Sequence, residues 1–556
     1  MIQEYYTKVL EKNKWKNREF IDYVISLLEK EWTNKNVFII EAPTGYGKST
    51  ISQAISLYSI NEELKVIIAF PLRTLLEDQY EKFKKITEEN FLGKRYMHSL
   101  DSRYLVKPIT LTTIDMLSLT IFGIPPEEFE KVAKEQSLGH YLFSHSSVLF
   151  SNIILDEVHL LSDSTKSINF LALLIHLAIT NNLKLIFMSA TIPPALINVI
   201  SRFFENKKEK LSLIRFKENC DKEFIRERLR KNYKIFLHAL KESEKFNKIV
   251  ELLTKSPFKK AIVIFNTVED AISFYKLLID LDLNSKKVLL HSRFNEIDRE
   301  RKIMELKEIK KLNEYLIIST QTIESGVDIS SNLIITELAP ANSLIQRLGR
   351  FLRYENEYEG EVHIWFEVDE KGKIKSYMNK YKVYDLKLVE KTLETLKKQN
   401  LKINFHVPES YEKLLKDVYD ESEFEINKSI IDEYNYALSN IENLSQSALD
   451  LFIRMEGSFV RDEMPIPVIT EEIYNYVKSS PNKIANYAVP ISIEILKKVK
   501  PKNAIKTDGE KIEIQIDNDK MKRPEKWLKF LLKNDIAALI VEGKYNEEIG
   551  LVIKQL

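Results

Sequence analysis

Glycine is scarce in this chain, which has only 13 glycines in 556 residues. An average composition would supply about 7%, or roughly forty. Four of the 13 (Gly45, Gly47, Gly326 and Gly349) lie inside short polar motifs. In a chain so sparing of glycine, we expect these positions to need the backbone freedom that glycine provides.

Cysteine, long apolar runs and an excess charge are also lacking. The single cysteine, Cys220, excludes an intramolecular disulfide framework and suits a reducing cytoplasm. The longest apolar run, Ile168–Thr180, is too short to span a bilayer, and the charged N-terminus lacks a signal-peptide core. The 83 Lys and Arg nearly cancel the 82 Asp and Glu, so any nucleic-acid surface must be a local groove. These features predict a cytoplasmic protein that does not engage a membrane.

Short buried strands alternate with amphipathic stretches in two successive regions, which predicts an α/β fold. Both sets of strands are typical of parallel sheets covered on both faces. We therefore expect two tandem parallel-sheet domains, 1–208 and 209–385, and a mainly helical C-terminal accessory domain, 386–556. The predicted strands are Val37–Ile40, Val66–Phe70, Ile153–Leu155 and Leu185–Met188, then Ala261–Phe265, Val288–Leu290, Tyr315–Ser319 and Leu333–Thr336, and near the C-terminus Ala537–Val541 and Ile549–Ile553.

The segment from Ala42 to Ser49 has the strand–loop–helix context of a phosphate-binding P-loop. Its glycines allow backbone N–H groups to surround a phosphate, Lys48 reaches the β- and γ-phosphates, and the Ser49 hydroxyl binds Mg²⁺. The sequence therefore predicts ATP and Mg²⁺ as ligands. The candidate ATP-binding residues in this loop are Thr44, Gly45, Tyr46, Gly47, Lys48, Ser49 and Thr50.

Asp156 and Glu157 directly follow a predicted buried strand. An Asp at the carboxyl end of such a strand is placed to hold Mg²⁺, and Glu157 is placed to act as the general base for water. His159 shows no partner at metal-ligand spacing, and we interpret it as a polar bridge between ATP and the second domain. Ser189 and Thr191 end another strand; alone they suggest a helix cap, but in this order they indicate coupling between the domains.

Three arginines, Arg347, Arg350 and Arg353, follow one another at three-residue spacing, so neighbours in the series share a helix face. The simpler interpretation is a solvated basic face. The sharper one is a set of arginine fingers that stabilise charge on a transferring phosphoryl group. Because the P-loop lies in the other domain, such a site would be complete only when the domains close.

Hydroxyl, amide and guanidinium groups follow the predicted strands in both domains. Such positions suit phosphate contacts that are indifferent to base identity, although each alone is more typical of helix capping. Together at matching places they predict a continuous groove for a single strand. The candidate nucleic-acid contacts are Arg73, Thr74, Thr113, Asn266, Arg293, Thr320 and Gln321.

Taken in order, these motifs resemble those of superfamily-two helicases over roughly residues 36–355. The segments Thr113–Leu117, Leu289–Phe294 with Asp298-Arg299, and Ala339–Arg347 are similar to elements of the CRISPR-associated interference helicase of type I systems. The Leu of the first element comes one place early. Tyr545 with Gly550-Leu551 resembles a short element of that family's accessory domain.

The resemblance implies two RecA-like domains with ATP·Mg²⁺ between them and single-stranded DNA across both. It implies that Arg350 and Arg353 are the finger positions, that Gln346 contacts the γ-phosphate or water, and that Gly326 and Asp328 also contact ATP. It further implies 3′-to-5′ DNA unwinding after recruitment by a CRISPR RNA-guided surveillance complex.

Two departures from the family pattern modify these expectations. None of the nine histidines is followed by Asp, and only about 36 residues precede the first predicted strand, so we expect a helicase-only form working with a separate HD-type nuclease subunit. The adenine-reading glutamine motif of many relatives is not visible near Asn17–Phe20, so strict preference for ATP is not predicted.

Two alternatives remain at the level of the sequence. One is another superfamily-two enzyme such as an RNA helicase, because RNA differs mainly by its 2′-hydroxyl and no motif shows whether that group is contacted. The other is a nucleotide-binding scaffold without turnover, which would be marked by loss of Lys48, Asp156, Glu157 or the finger arginines. Comparing hydrolysis with DNA and RNA strands separates the three hypotheses.

Overall fold

The computed structural model describes residues 1–96, 99, 101–161, 164–279, 281, 285–324, 326–374, 383–443, 445–462, 465–514 and 523–554. The chain divides into two compact units, and each is assembled from two separate stretches. The first unit comprises Met1–Glu223 and Tyr419–Glu463, and the second comprises Phe224–Val418 and Met464–Leu556.

The strands are short, and most of those that precede the predicted motifs are buried along their whole length. They are β1 (Val37–Glu41), β2 (Lys65–Phe70), β3 (Leu92–Arg95), β4 (Ile109–Thr113), β5 (Ser151–Leu155), β6 (Leu185–Ser189), β7 (Leu211–Arg215), β8 (Asn232–Leu240), β9 (Lys260–Ile264), β10 (Lys286–Leu290), β11 (Tyr315–Ser319), β12 (Leu333–Glu337), β13 (Glu359–Glu367), β14 (Ile466–Thr470), β15 (Val489–Ile491), β16 (Asn503–Lys506), β17 (Lys511–Glu513), β18 (Ile536–Val541), β19 (Gly543–Asn546) and β20 (Gly550–Ile553).

The α-helices lie between these strands and fill the segment from 386 to 454. They are α1 (Ile2–Asn13), α2 (Glu19–Glu31), α3 (Ser49–Asn61), α4 (Arg73–Phe83), α5 (Ile114–Ile121), α6 (Pro126–Ala133), α7 (Tyr141–Leu149), α8 (Thr165–Thr180), α9 (Pro194–Phe203), α10 (Lys222–Leu229), α11 (Lys245–Lys255), α12 (Val268–Ile279), α13 (Glu296–Ile309), α14 (Ala341–Leu348), α15 (Leu386–Lys398), α16 (Pro408–Val418), α17 (Lys428–Ser439), α18 (Gln446–Arg454), α19 (Glu471–Val477), α20 (Ile484–Tyr487), α21 (Ile493–Val499) and α22 (Pro524–Lys533).

The first unit is built on one parallel sheet. Its described strands lie in the order β3-β4-β2-β5-β6-β1-β7, and each neighbouring pair is parallel. The central strands β1, β5 and β6 are buried at every position, as expected for a sheet covered by helices on both faces. Because all strands run the same way, the loops that follow them emerge at one edge of the sheet.

The second unit contains a parallel sheet of the same kind. Its described strands lie in the order β10-β11-β9-β12-β13-β8, and all are parallel. A core cluster that includes Val263, Phe265, Phe274, Ile318 and Trp365 packs against this sheet. The loops after β9, β10, β11 and β12 therefore share one edge, which is where the predicted motifs of this unit lie.

The C-terminal part of the second unit carries a smaller mixed sheet and a hairpin. The described strands of this sheet lie in the order β15-β14-β18-β16-β17, and β14 and β18 are its parallel pair. β19 and β20 form an antiparallel hairpin that follows β18 directly. Leu551 and Ile553 of the hairpin are buried in the same core cluster as Leu539 and Val541 of β18.

The expectation of two tandem parallel-sheet domains is confirmed, but the compact units follow other boundaries than the predicted ones. β7 begins after position 208, yet it belongs to the first sheet because Leu211 pairs with Val37 of β1. Residues 386–556 are also divided: Tyr419–Glu463 packs with the first unit, and the flanking stretches pack with the second. The two strands predicted near the C-terminus appear as β18 and β20.

Candidate nucleotide site and strand-binding loops

The loop between β1 and α3 has the backbone form of a phosphate-binding loop. β1 ends at Glu41, and α3 begins at Ser49. Gly45 and Gly47 have φ angles of 76° and 105°, a region that is costly for residues with a Cβ. A helix N-terminus directly after such a loop offers N–H groups to an anion. The predicted P-loop is therefore formed locally, and its glycines are where the backbone requires them.

The Lys48 ammonium lies beside the acidic pair. Its Nζ donates to the Ala42 carbonyl at 3.2 Å and lies 3.8 Å from Oε1 of Glu157. The lysine side chain is only 7% exposed. Phosphate oxygens accept hydrogen bonds from an ammonium in the same way as the two oxygens that Lys48 now contacts. The structure therefore brings Lys48 and Glu157 together, as the two motifs predict.

Asp156 and Glu157 follow β5 in a strained turn. Glu157 has a φ of 52°, which is uncommon for a residue other than glycine, and its N–H donates to Oδ1 of Asp156 at 2.9 Å. Burial, and then the charge of Glu157, raise the pKa of Asp156 to about 7, against the opposing charge of Lys48. A buried carboxylate with a neighbouring acid is stabilised by a bound cation, so this donor set fits Mg²⁺.

His159, Ser189 and Thr191 form one hydrogen-bonded group next to this pair. His159 Nδ1 lies 3.0 Å from Oγ of Ser189 and 3.3 Å from Oε2 of Glu157. The Thr191 N–H donates to Ser189 Oγ at 3.1 Å. The strand order places β5 beside β6, which explains why the loops after these strands meet. The three residues predicted to couple the domains thus lie together, and His159 contacts the candidate general base.

The Tyr46 side chain points into the protein. Its hydroxyl donates to Oδ2 of Asp221 at 2.5 Å and accepts from the Phe20 N–H at 3.2 Å. Tyr46 is 1% exposed. Tyr46 can therefore offer only its backbone to ATP, and its side chain anchors the loop. The Thr50 hydroxyl donates to the Gly47 carbonyl at 2.7 Å, within the same loop.

Two candidate strand-binding loops lie side by side in the first unit. Phe70 of β2 and Thr113 of β4 are paired in register, so the loop after β2 and the start of α5, which follows β4 directly, are neighbours. Arg73 donates to the Tyr96 hydroxyl at 2.9 Å and lies over its ring, and Thr74 follows it in the first turn of α4. The Thr113 side chain caps α5 by accepting from the Met116 N–H.

Asn266 and Gln321 are joined in the second unit. Gln321 Nε2 donates to the Asn266 carbonyl at 2.9 Å, and Asn266 Nδ2 donates to the Leu338 carbonyl at 2.8 Å. Thr320 is also buried, directly after β11. The Asn266 side-chain amide is hydrogen-bonded within the unit, and the Asn266 carbonyl accepts from Gln321. Asn266 therefore supports the loop that carries Gln321.

Arg293 is buried and ion-paired. Its Nη2 lies 2.5 Å from Oε1 of Glu269, and its backbone N–H donates to Nδ1 of His291. Burial, together with the charge of Arg293, lowers the pKa of His291 to about 3. His291 is therefore a neutral ring that holds the loop after β10 in one shape.

The arginine series does not form a solvated basic face, which corrects the simpler interpretation, and only Arg347 lies on α14, which ends at Leu348. Arg347 is fully buried, and all five of its N–H donors are used inside the unit. Their acceptors are Oε1 of Glu324, Oγ1 of Thr336, the Glu337 carbonyl, Oδ1 of Asn266 and the Tyr384 hydroxyl. Arg347 thus ties α14 to the loops after β9 and β11 and to the end of β12.

The predicted finger residues contact the loop after β11. Arg350 donates to the carbonyls of Ile323 and Glu324 at 3.0 and 2.9 Å. Arg353 Nε lies 3.2 Å from Oδ1 of Asp328. Gly326 has a φ of 78° in this loop. Gln346 is buried one position before Arg347.

Arg461, Asp221, Glu324 and Tyr384 were not predicted from the sequence. Each is the ion-pair or hydrogen-bond partner of a motif residue. Arg461 pairs with Asp115, Asp221 accepts from Tyr46, and Glu324 and Tyr384 accept from Arg347. A buried arginine needs hydrogen-bond acceptors, so an acceptor for Arg347 could be expected. No spacing in the chain indicates which residues provide it.

Two known protein families match stretches of the chain that carry these motifs. The DEAD/DEAH box helicase family matches residues 23–199, and the family described as CRISPR-associated nuclease/helicase Cas3, C-terminal, matches residues 258–356. The first unit thus carries a region similar to DEAD/DEAH box helicases, and the second unit carries a region similar to the C-terminal part of Cas3.

A curated relative is the putative CRISPR-associated nuclease/helicase Cas3 of Methanocaldococcus jannaschii. It is 28% identical over 414 residues, which cover 68% of this chain and 52% of the relative. The chain thus spans about half the length of this relative.

Solved structures share the fold. A Cas3–ADP crystal structure from T. fusca has a TM-score of 0.67 at 15% identity and covers 98% of this chain and 72% of its own. A structure described as a CRISPR RNA-guided surveillance complex, pre-nicking, has a TM-score of 0.60 at 16% identity, covering 97% and 70%. These likenesses confirm the predicted fold class, two RecA-like domains with an accessory region. In the part of the chain that the structure describes, no helix has the length and apolarity to cross a membrane.

Proposed function

We propose that this chain hydrolyses ATP to move 3′ to 5′ along single-stranded DNA and to unwind target DNA in type I CRISPR interference. The observation that carries the proposal is the cluster of Lys48, Asp156 and Glu157 in a chain whose second unit matches the Cas3 C-terminal family. The DNA substrate and the direction of movement rest on the family resemblance.

In the proposed reaction, each residue of the cluster has a separate task. Lys48 neutralises charge on the terminal phosphates, and the Ser49 hydroxyl and Asp156 hold Mg²⁺. A bound Mg²⁺ supplies further charge neutralisation of the phosphate oxygens. Glu157 takes the proton from the attacking water, and His159, 3.3 Å away, orients that carboxylate.

The arginines of the second unit are proposed to stabilise charge on the transferring phosphoryl group. Arg350 and Arg353 now contact backbone carbonyls and Asp328, and we propose that they exchange these contacts for phosphate oxygens during turnover. Gln346 is proposed to contact the γ-phosphate or the water, and Gly326 to shape the loop that carries Asp328.

The partners follow from the same family and from the missing His-Asp dipeptide. We propose single-stranded DNA along Arg73, Thr74, Thr113, Arg293, Thr320 and Gln321, recruitment by an RNA-guided surveillance complex, and cleavage by a separate HD-type nuclease in the cytoplasm. Support for the DNA contact comes from hydroxyl and guanidinium groups at the carboxyl ends of the strands, which suit sequence-independent phosphate contacts. The surveillance complex and the separate nuclease rest on the family resemblance.

The test is steady-state ATP hydrolysis by the purified chain, alone and with single-stranded DNA or RNA of matched sequence. We expect stimulation mainly by DNA. Glu157→Gln should reduce turnover by about a thousandfold while retaining ATP binding, because it removes the base but keeps the shape of the side chain. Glu62→Gln, an exposed change at the end of α3, is the matched control and should hydrolyse normally.

Each contrary outcome has a specific meaning. Stimulation mainly by RNA would move the assignment to an RNA helicase. Absence of turnover with every strand would favour the nucleotide-binding scaffold. Normal hydrolysis by Glu157→Gln would contradict the assignment of the catalytic site itself.

A further inference from the structure

Two accessory segments contact candidate strand-binding loops directly. The segment from 419 to 463 reaches the loop after β2 and the first turn of α5 in the first unit, and the hairpin of β19 and β20 reaches the loop after β10 in the second. We propose that these two contacts are positioning clips that hold the loops in the shape that binds the DNA strand. This inference rests on the proposed function, because it concerns affinity for the strand.

The clip in the first unit is a single guanidinium. Arg461 donates from Nε and Nη2 to the two carboxylate oxygens of Asp115 at 2.7 and 2.8 Å, and from Nη2 to the Pro71 carbonyl at 2.8 Å. Pro71 lies two residues before Arg73, and Asp115 lies two residues after Thr113. One planar side chain therefore joins the loop after β2 to the first turn of α5, the helix that Thr113 caps.

Only arginine has the geometry for this bridge. Its fork presents parallel N–H donors to a carboxylate and retains donors for a carbonyl, whereas a lysine ammonium is a point charge on a flexible stem. The Arg461 side chain is 40% exposed, so its ion pair adds little to global stability. Its effect is instead expected in the relative position of two segments that follow adjacent strands.

The clip in the second unit is a set of hydrogen bonds from the hairpin to the loop after β10. The Leu551 N–H donates to the Arg293 carbonyl at 2.9 Å, and the neutral His291 ring lies 3.1 Å from the Ile549 carbonyl. The Tyr545 hydroxyl accepts from the Asn295 N–H at 3.2 Å.

Tyr545 also connects the loop to the helix that follows it. Its hydroxyl donates to Oδ2 of Asp298 in the first turn of α13 at 2.6 Å. Asn295 caps the same helix through its side chain. The hairpin thus fixes the segment that carries Arg293 at both of its ends, from Arg293 to Asp298.

These contacts assign Arg461 and Tyr545 as positioning residues that do not themselves need to touch the strand. The prediction separates them from residues that serve only stability. Their loss should raise the DNA concentration needed for half-maximal ATPase stimulation and leave the DNA-free rate and the maximal rate unchanged. Loss of folding would instead lower all three quantities together.

The experiment measures ATP hydrolysis by the full chain against the concentration of a single-stranded oligothymidylate. We expect Arg461→Lys and Tyr545→Phe each to raise the half-stimulating concentration by about tenfold, the effect of losing hydrogen bonds to charged groups. The matched controls are Arg454→Lys, an exposed arginine of the same segment paired with Glu433, and Glu547→Gln on the hairpin tip. Both controls should respond as the unaltered chain does.

The outcomes distinguish this inference from the proposed function. If the unaltered chain is not stimulated by any strand, the function fails. If it is stimulated by DNA, and Arg461→Lys and Tyr545→Phe are stimulated at the same concentration as their controls, the clips have no positioning role. A change in the DNA-free rate of equal size in both variants would also overturn the inference, because it would indicate a structural effect.

Discussion

At the scale of single residues, the candidate site combines backbone strain with a carboxyl group whose pKa is raised. Glu157 has a φ of 52°, and its neighbour Asp156 has a pKa raised to about 7 by burial and by the charge of Glu157. Strain of this kind persists where the surrounding structure imposes it, which is often at functional positions. Without its ligands, the site therefore makes the folded chain less stable than it would be with apolar or neutral residues at these positions.

Asp156→Asn should raise the melting temperature of the nucleotide-free chain and abolish hydrolysis. The folded-state pKa of about 7 lies above the ordinary value of 3.8. The carboxylate therefore favours unfolding increasingly as the pH rises from about 4 to 7, and this cost is complete above pH 7. The amide carries no charge, so its advantage should be larger at pH 8 than at pH 5.

Thermal unfolding followed by circular dichroism at the two pH values checks this prediction. Asp101→Asn, which alters a partly exposed carboxylate near Lys107 in the same unit, serves as the control. An equal change in melting temperature at pH 5 and pH 8 for Asp156→Asn would refute the raised pKa.

At the scale of secondary-structure elements, the hairpin of β19 and β20 docks with very little clearance. Gly550 has a φ of 71°, and a Cβ built on it would lie 2.5 Å from the Arg293 carbonyl oxygen and 2.8 Å from Cε1 of His291. Both neighbours belong to a loop that the hairpin itself holds. Glycine at this position therefore serves the close approach of two backbones as well as the positive φ.

Gly550→Ala should destabilise the second unit by about 2 to 4 kcal/mol, because it adds a steric overlap to the strain of a positive φ. Gly372→Ala is the matched control, since Gly372 has a similar φ of 75° but open space within 4 Å of the place that a Cβ would occupy. That control should lose only about 1 kcal/mol. Urea unfolding of both variants measures the two costs, and equal losses would show that the close approach has no energetic weight.

At the scale of the whole molecule, the accessory region does not form a compact unit of its own. Residues 419–463 belong to the unit with the P-loop, and residues 464–556 belong to the unit with the arginine series. Each unit thus combines a parallel sheet of the RecA type with its own accessory segment. This distribution is why the proposed clips are found separately in both units.

The purified chain should not cleave DNA in the presence of Mg²⁺, Mn²⁺ or Ni²⁺. None of its nine histidines is followed by Asp, whereas the nuclease domain of the family that the sequence resembles carries a His-Asp dipeptide. Incubation of a labelled single strand and a duplex with each metal, with and without a chelator, checks this expectation. Cleavage that the chelator abolishes and that Asp156→Asn retains would reveal a nuclease site elsewhere in the chain.

Much of the nucleotide site could be predicted from the sequence because its parts are local. Lys48 follows a strand and a glycine loop, and Asp156 and Glu157 follow another strand, so their chemistry is readable from residue type and position. Their contact follows from parallel strands that present their carboxyl ends at one edge. The arginine series was less predictable, because burial of Arg347 depends on acceptors from two separate loops and from the end of β12.

The sequence by itself predicted the class of protein, the order of the motifs along the two sheets and the residues of the candidate site. Only the tertiary structure decided that Tyr46 faces Asp221, that Arg461 joins the loop after β2 to α5 and that Gly550 lies against Arg293. The physical reason is separation along the chain: Arg461 meets Asp115 across 346 positions. Local patterns follow from helix and strand periodicity, whereas such distant pairs form only when the whole unit packs.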